Sequence, residues 1–403
     1  MAGLFTELSV AGRRALETRR RLRAGQLDPT PDIPGFRQAF QTLLDRAPPG
    51  LIADARWMPL PANAPPWVDS GLQLNPGDAV SWFICGRTWA SKALDIWVPP
   101  SVQVWGRIGQ NGDLISATRD SHSITADIDG TLQFGNYFPN DWADRQGRTT
   151  KPDRVYRALK GELLILVLRW TGDALTGLRQ LQSLGEVDGD VDGRLASEIE
   201  RLQQGQTHPT GWSPLWHVGN NEIYRDGQGP EGEPAICCHT HGDVGILQRD
   251  VDFALTADTR LDWRWIIHSL PSSIREDAVP SHDYLSIAVE FDNGMDITYY
   301  WSSVLPTGTG YICPLPNWKH REYHVVVRSG TAGLGEWLDE SRPLHDDYQR
   351  YMAGRMSGTD NHQPKRIVRI WLIANSVFQR GSGDCRYAGI RLSNTGGASL
   401  TVL

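Results

Sequence analysis

The chain has 403 residues, a formal net charge of −7, 22% charged residues and 16 tryptophans. That length exceeds one ordinary core and suits two domains of about 150 to 200 residues each. Acidic and basic residues are mixed along the chain, which leaves no broad basic footprint and excludes nucleic acid as the expected partner. The five cysteines, Cys85, Cys237, Cys238, Cys313 and Cys385, are odd in number, scattered and mostly set in apolar runs. They predict reduced, buried thiols rather than a disulfide framework or a zinc module.

Two helical patterns open the chain, Leu4 to Arg23 and Gly35 to Arg46, separated by the breakers Pro29-Thr30-Pro31 and Pro34. They are read as a helical arm over residues 1–50, rich in arginine and offering a surface for self-association. No stretch reaches the roughly 18 apolar residues that span a bilayer, so a cytoplasmic protein without a membrane span is expected. From Trp57 the grammar changes to short β-rich runs bounded by Gly, Asp or Pro: Ala79 to Ile84, Leu94 to Val98, Ser101 to Ile108, Ser123 to Asp127, Thr131 to Phe134 and Glu162 to Arg169. This spacing predicts an antiparallel β-sandwich over residues 51–172.

A helical linker is expected over residues 173–210. Within it Asp188, Asp190, Asp192 and Gly193 match the opening of an EF-hand loop, but Ile199 stands where the loop needs a bidentate carboxylate. An acidic turn with Asp192 capping a helix from Arg194 to Gln203 fits better. Strand grammar resumes from Ala235, with runs Ile236 to His241, Val244 to Val251, Leu261 to His268, Tyr284 to Phe291, Asp296 to Ser302, Tyr323 to Ser329, Val368 to Ala374 and Tyr387 to Leu392. A helical stretch is expected around Leu344 to Tyr351, and Asp292-Asn293-Gly294 predicts a type I′ hairpin turn. Residues 211–403 are therefore read as a second, jelly-roll-like sandwich, and the fold class as all-β with two antiparallel β-sandwich domains.

Chemistry-bearing residues concentrate in Cys237-Cys238-His239-Thr240-His241-Gly242-Asp243. On a strand, His239, His241 and Asp243 share one face because side chains alternate. That geometry serves an ordinary polar sheet face, a metal held by His239 and His241 with a third ligand from Asp243, His268, His282 or Asp384, or proton transfer and ligand contact. Of the two functional uses, proton transfer or ligand contact is preferred, and no metal is assigned. His282-Asp283 is a second pairing able to move a proton near neutral pH, although neighbours on a strand point to opposite faces. Trp263, Arg264, Trp265, Tyr300 and Trp301 would shape a pocket beside these groups. In the first domain Arg87, Trp89, Asp95, Trp97, Trp105, Arg107, Arg119, Asp120 and His122 form a polar and aromatic series. It suits either a hydroxylated ligand on a flat platform or a salt-bridged sandwich edge. No Gly-x-Gly-x-x-Gly fingerprint, phosphate loop, Gly-x-Ser-x-Gly elbow or Cys-x-x-Cys pair is read, so no cofactor is expected.

Three resemblances rest on these residues. Through Trp263-Arg264-Trp265, Leu270-Pro271, Val289-Glu290-Phe291-Asp292 and the Asp384 to Leu392 strand, the second half resembles a bacterial β-sandwich family of unassigned function. Through Leu74-Asn75-Pro76-Gly77-Asp78, Ser81 to Gly86, Leu94 to Val98 and Trp105-Gly106-Arg107-Ile108-Gly109, the first half resembles galactose-binding-like lectin modules. The overall pattern, with the run Pro280 to Trp301, is similar to the fungal hetero-Diels-Alderases, double β-sandwich proteins without a redox cofactor. The last resemblance implies a cofactor-independent, cyclase-like enzyme of specialised metabolism acting on a mostly apolar, oxygenated small molecule. In it His239, His241, His282 or Asp283 would move a proton. The alternative is a non-catalytic carbohydrate-binding protein using Trp89, Trp97 and Trp105 as platforms.

Overall fold

The computed structural model describes residues 4–63, 67–185, 191–205, 208–354 and 363–403. The chain divides into two compact units, one formed by Thr18–Thr207 and the other by Met1–Glu17 together with His208–Leu403. Among the described residues both units are built mainly from antiparallel sheet.

The unit Thr18–Thr207 contains helix α2 (Ile33–Arg46), strands β1 (Ile52–Pro61), β2 (Val68–Leu74), β3 (Ala79–Gly86), β4 (Thr88–Ser91) and β5 (Ile96–Val98), the short helix α3 (Pro100–Gln103), and strands β6 (Val104–Ile108), β7 (Ile115–Ser116), β8 (Ser121–Thr125), β9 (Gly130–Asn136) and β10 (Glu162–Trp170). Two four-stranded sheets, β1-β10-β3-β8 and β2-β9-β6-β7, face each other across Leu60, Trp82, Ile84, Leu132, Phe134 and Ile165. The outer face of the first sheet is also buried. There α2, α4 (Ala174–Gln182) and α5 (Val191–Gln204) set Phe40, Leu43, Leu178, Leu181 and Leu195 against Phe83, Leu166 and Leu168. Residues apolar on both faces produce the long apolar runs of β3 and β10, broken only by the buried Ser81, since a strand covered on two sides has no solvent face to alternate with. The helices that connect the two units in sequence are thus also packing partners of the first sandwich.

Two local departures from expectation have clear causes. The strand expected from Ser101 begins only at Val104, because Pro100 occupies the first position of a helical turn, where its fixed φ and missing N–H fit. The strand expected from Leu94 begins at Ile96, because Asp95 adopts φ 54° and breaks extended geometry. Asp188 and Asp190 of the EF-hand-like run lie outside the described residues. Helix α5 starts at Val191, so Asp192 lies inside the helix rather than capping it.

The second unit takes the first part of α1 (Leu4–Arg23) and strands β11 (Ser213–Pro214), β12 (Tyr224–Gln228), β13 (Pro234–His241), β14 (Val244–Ala254), β15 (Arg260–Ser269), β16 (Tyr284–Phe291), β17 (Asp296–Ser302), β18 (Gly310–Ile312), β19 (Glu322–Ser329), β20 (Leu338–Pro343), β21 (Arg366–Asn375), β22 (Ser382–Ser393) and β23 (Ser399–Thr401). They form a seven-stranded sheet, β11-β14-β21-β16-β17-β19-β18, and a six-stranded sheet, β12-β13-β22-β15-β20 with β23 beside β22 and included in its environment. The core between the sheets holds Trp263, Trp265, Ile287, Phe291, Tyr299, Trp301, Val325 and Tyr387. A second apolar layer covers the other face of the seven-stranded sheet, where Tyr284, Tyr300, Val326 and Trp371 meet Leu305, Tyr311, Cys313 and Trp318 from the chain between β17 and β19. That connection is long because β17 and β19 are parallel, and a parallel pair cannot be joined by a tight turn.

The hairpin between β16 and β17 forms as expected, but only Gly294 of its turn has positive φ, at 75°. Asn293 stays at negative φ, so the turn is not type I′. Its buried side chain instead accepts from Met295 N and donates to the Tyr348 hydroxyl. No described helix is long and apolar enough to cross a membrane.

Candidate functional site

The outer face of the six-stranded sheet carries an open cleft of about 510 Å³ lined by Asp262, Trp263, Arg264, Asp339, Glu340, Ser341, Gly389, Ile390, Arg391, Thr401 and Leu403. Alternation along β15 puts Asp262 and Arg264 on this face while Leu261, Trp263 and Trp265 fill the core. The depression owes its place to a β-bulge in β22. Asp262 pairs with Arg391 and Arg264 with Ala388, so Gly389 and Ile390 together oppose Trp263. Gly389 has φ 59°, the left-handed conformation of the first residue in a glycine-type bulge. The extra residue reverses the inward set from Cys385 and Tyr387 to Ile390 and Leu392. It also turns a position without a side chain towards solvent between two arginines.

Charged groups converge on that gap from three strands. Arg264 Nε lies 3.1 Å from Asp339 Oδ1, and its Nη1 lies 3.1 Å from Glu231 Oε1 and 3.4 Å from Glu233 Oε1. These three carboxylates raise the Arg264 pKa, hydrogen bonding to Glu231 first. Arg391 donates to Asp262 at 3.3 Å, Ser341 donates to the same carboxylate, and Arg260 Nε donates to Ser341 Oγ at 2.8 Å. Glu340 accepts from Trp265 Nε1 at 3.2 Å and pairs with Arg328. The cleft therefore sets guanidinium donors and carboxylate acceptors side by side.

The residues expected to act from β13 are arranged differently. His239 and His241 do share an exposed face; His239 Nδ1 is 3.6 Å from Asp384 Oδ2, and His241 Nδ1 is 3.2 Å from Ser382 Oγ. Asp243 does not join them. Gly242 takes φ 68° and ends the strand, so the Asp243 carboxylate turns back to the Thr240 hydroxyl and accepts His241 N at 3.0 Å. His268 is exposed on the six-stranded sheet, whereas His282 is buried against the seven-stranded one.

His282 and Asp283 point apart, as adjacency demands. Asp283 accepts Phe378 N at 2.9 Å and Gln379 N at 2.5 Å, and burial pushes its pKa up to about 7 against the pull of those amides. His282 Nδ1 lies 2.6 Å from the Glu276 carbonyl, and burial lowers its pKa to about 3. Its Nε2 faces Cys313 Sγ at 3.5 Å, and with His324 these residues form a buried group of metal-ligating type. The sequence points to His282 but to neither His324 nor Glu322, and it marks Cys313 as a core thiol. The available signal was weak: Glu322 and His324 alternate on one face of a strand, while Cys313 reaches them only through the crossover.

The aromatic residues expected to form a pocket are mostly core. Trp265, Tyr300 and Trp301 are at most 1% exposed; Trp265 packs on Trp301 and Tyr387, and Tyr300 accepts from the Tyr311 hydroxyl. In the first unit Trp89 and Trp97 are cross-strand neighbours, and the Arg87 guanidinium covers the Trp97 ring at 3.8 Å. Trp105 is buried and donates to the Tyr137 carbonyl, and Arg119 is held by Ser197 and Glu200 of α5. Contrary to the expectation that no Gly-x-Gly-x-x-Gly is present, the run Gly227-Gln228-Gly229-Pro230-Glu231-Gly232 has that spacing, but it closes the hairpin between β12 and β13 instead of opening a helix.

Residues 211–391 match a family model described as a protein of unknown function, DUF3047. No curated protein matches the chain. Among solved structures, the N-terminal domain of EclA, a PllA-like lectin, is 14% identical, with 30% of this chain and 98% of that chain covered and a TM-score of 0.21. The xyloglucanase domain of NopAA, a type three effector from Sinorhizobium fredii in complex with cellobiose, is 7% identical over 47% of this chain and 97% of that one, with a TM-score of 0.30. A family 11 carbohydrate-binding module of a cellulosomal cellulase of Clostridium thermocellum is 11% identical over 47% and 90%, with a TM-score of 0.25.

Proposed function

We propose that the second unit is a non-catalytic binding module for hydroxylated, carbohydrate-type ligands, and that the cleft above Gly389 is its site. The observation that carries this reading is the convergence of Arg264, Arg391, Asp262 and Asp339 on an open depression in which Gly389 leaves a gap without a side chain. Sugar hydroxyls both donate and accept, so one hydroxyl can accept from a guanidinium and donate to the neighbouring carboxylate while the arginine–carboxylate pair stays in place. Cyclisation has less support. Its expected aromatic walls, Trp265, Tyr300 and Trp301, have their faces taken by neighbouring core side chains. The first-unit platform has less support too, because Arg87 already occupies the Trp97 face.

A glycan array on the full chain, followed by calorimetric titration of the best ligand, tests the proposal. Arg264→Ala and Arg391→Ala should each weaken binding about tenfold or more, which is about 1.4 kcal/mol. His239→Ala should leave it unchanged. Failure to retain any oligosaccharide, or binding insensitive to both arginine changes, would refute the assignment.

A further inference from the structure

A second site, independent of the cleft, lies beneath the chain that crosses from β17 to β19. His282 precedes β16, Cys313 follows β18, and His324 sits within β19. One ligating atom from each lies within 4.8 Å of the others, and all three side chains are buried. The backbone carbonyl of Glu276 can only accept, so the 2.6 Å contact fixes the proton on His282 Nδ1. The lone pair of Nε2 is thereby aimed at Cys313 Sγ, 3.5 Å away. Orientation of a ligand imidazole by a carbonyl on its other nitrogen is the usual outer-shell arrangement of metal sites. Zinc bonds of about 2.3 Å to sulfur and 2.0 Å to nitrogen, at a tetrahedral angle, also put N and S about 3.5 Å apart.

Two further observations distinguish this group from a plain S–H···N contact. Neither nitrogen of His324 has a hydrogen bond although the ring is fully buried, a costly condition for an imidazole. The ring is instead held in place by Tyr311, stacked at 5.1 Å and 8°, and by the edges of His282 and Tyr284. Beside it the buried Glu322 carboxylate lies 3.4 Å from His324 Nε2 and accepts Thr298 Oγ1 at 3.0 Å. Neighbouring Asp296 and Glu290 are paired with Arg321 and Arg369, whereas among the described residues Glu322 has no arginine or lysine partner and faces only His324, which is a counter-charge only when protonated. A buried anion needs a counter-charge.

We infer that His282, Cys313 and His324, with Glu322 as the adjoining carboxylate, form a closed structural Zn²⁺ site. One thiolate and one carboxylate balance the dication, the His324 nitrogen gains its partner, and the ion pins the crossover onto the sheet. A sulfur and two imidazoles suit a borderline ion and exclude calcium or magnesium, which prefer oxygen. Zinc binding to Cys313 releases its thiol proton to solvent, and no bond other than S–H breaks.

Full-length protein, purified without chelator and desalted, should carry about one zinc per chain by elemental analysis. Cys313→Ser should lose at least nine-tenths of it, while Cys237→Ser should keep it. Protein produced in zinc-limited, cobalt-supplemented medium should show a thiolate-to-cobalt charge-transfer band, a readout that does not depend on the variant folding. Wild-type protein that holds no zinc after incubation with Zn²⁺ and desalting, cobalt protein without the thiolate band, or a folded Cys313→Ser that retains its zinc would each overturn the inference.

Discussion

Replacing Gly389 tests the bulge and the cleft together. A Cβ built there lies 3.6 Å from Arg264 Cδ and 3.8 Å from its Cγ, which is ordinary contact, so alanine meets no clash. The penalty comes from the backbone. At φ 59° an L-residue sets Cβ against its own carbonyl, at about 1 to 2 kcal/mol, and asparagine tolerates that conformation better than other residues. Gly389→Ala should therefore destabilise the protein by about 1 kcal/mol, Gly389→Asn by less, and the β-branched Gly389→Val by about 2 kcal/mol or more. For a unit of this size 1 kcal/mol moves Tm by about 2–4 °C. Valine would also fill the floor between the Arg264 stem and Arg391, so ligand affinity should fall at least about tenfold in protein that is still folded. Urea unfolding followed by tryptophan fluorescence gives the stabilities, and calorimetric titration gives the affinities. If Gly389→Ala stabilises, as glycine replacement does by about 0.4 to 1 kcal/mol where φ is compatible, the bulge assignment is wrong. If folded Gly389→Val binds like wild type, the cleft is not the site.

Two further outcomes follow from buried charge. Burial, with Arg201 nearby, lowers the His122 pKa to about 3, so the unfolded chain binds a proton near pH 6.5 that the folded one refuses. Stability from this residue is complete above pH 6.5 and declines as pH falls towards 3, at a slope approaching about 1.4 kcal/mol per pH unit. A His122→Gln variant should flatten the acid limb of urea midpoints measured between pH 7 and 4, and an unchanged limb would refute this. Arg321 holds Asp296 at 3.1 Å and Glu290 at 2.9 Å, and the Arg321→Met variant strands the fully buried Asp296. It should cost about 3 kcal/mol, the low end for a broken buried pair because Glu290 keeps Arg369 at 2.7 Å. Adding Asp296→Asn should recover part of that loss, and a double variant no more stable than the single one would refute the account.

Much of the architecture is legible in the sequence because its signals are local. The strand from Tyr284 to Phe291 and its partner from Asp296 to Ser302 have the expected bounds, as does the first helix from Leu4 to Arg23. Alternation likewise places His239 and His241 on one face. What escapes reading arises from single backbone angles and long-range crossings. Gly242 redirects Asp243 and Gly389 reverses the inward set of β22 by adopting positive φ, and a glycine letter does not say which φ it takes. The amphipathic helices after Asp173 read as a linker because the sequence does not reveal that the outer face of β3 and β10 needs covering. Likewise, Cys313 meets His282 and His324 only because a parallel strand pair forces a long crossover.

The unit that carries the cleft is discontinuous in the chain, and this has a kinetic consequence. Its first segment, Met1–Glu17, is separated from His208–Leu403 by about 190 residues, yet Glu7 accepts Val279 N at 3.2 Å and Arg14 donates to the Phe378 carbonyl. At roughly 5 to 20 residues per second, a ribosome takes roughly 10 to 40 s to make the intervening stretch. During that interval the amphipathic leading helix has been synthesised but its docking surface has not. The first sandwich can complete its own core meanwhile, so the nascent chain must shelter the apolar face around Val10 until the later strands emerge. Fragments that begin at His208 would lack that helix from the outset.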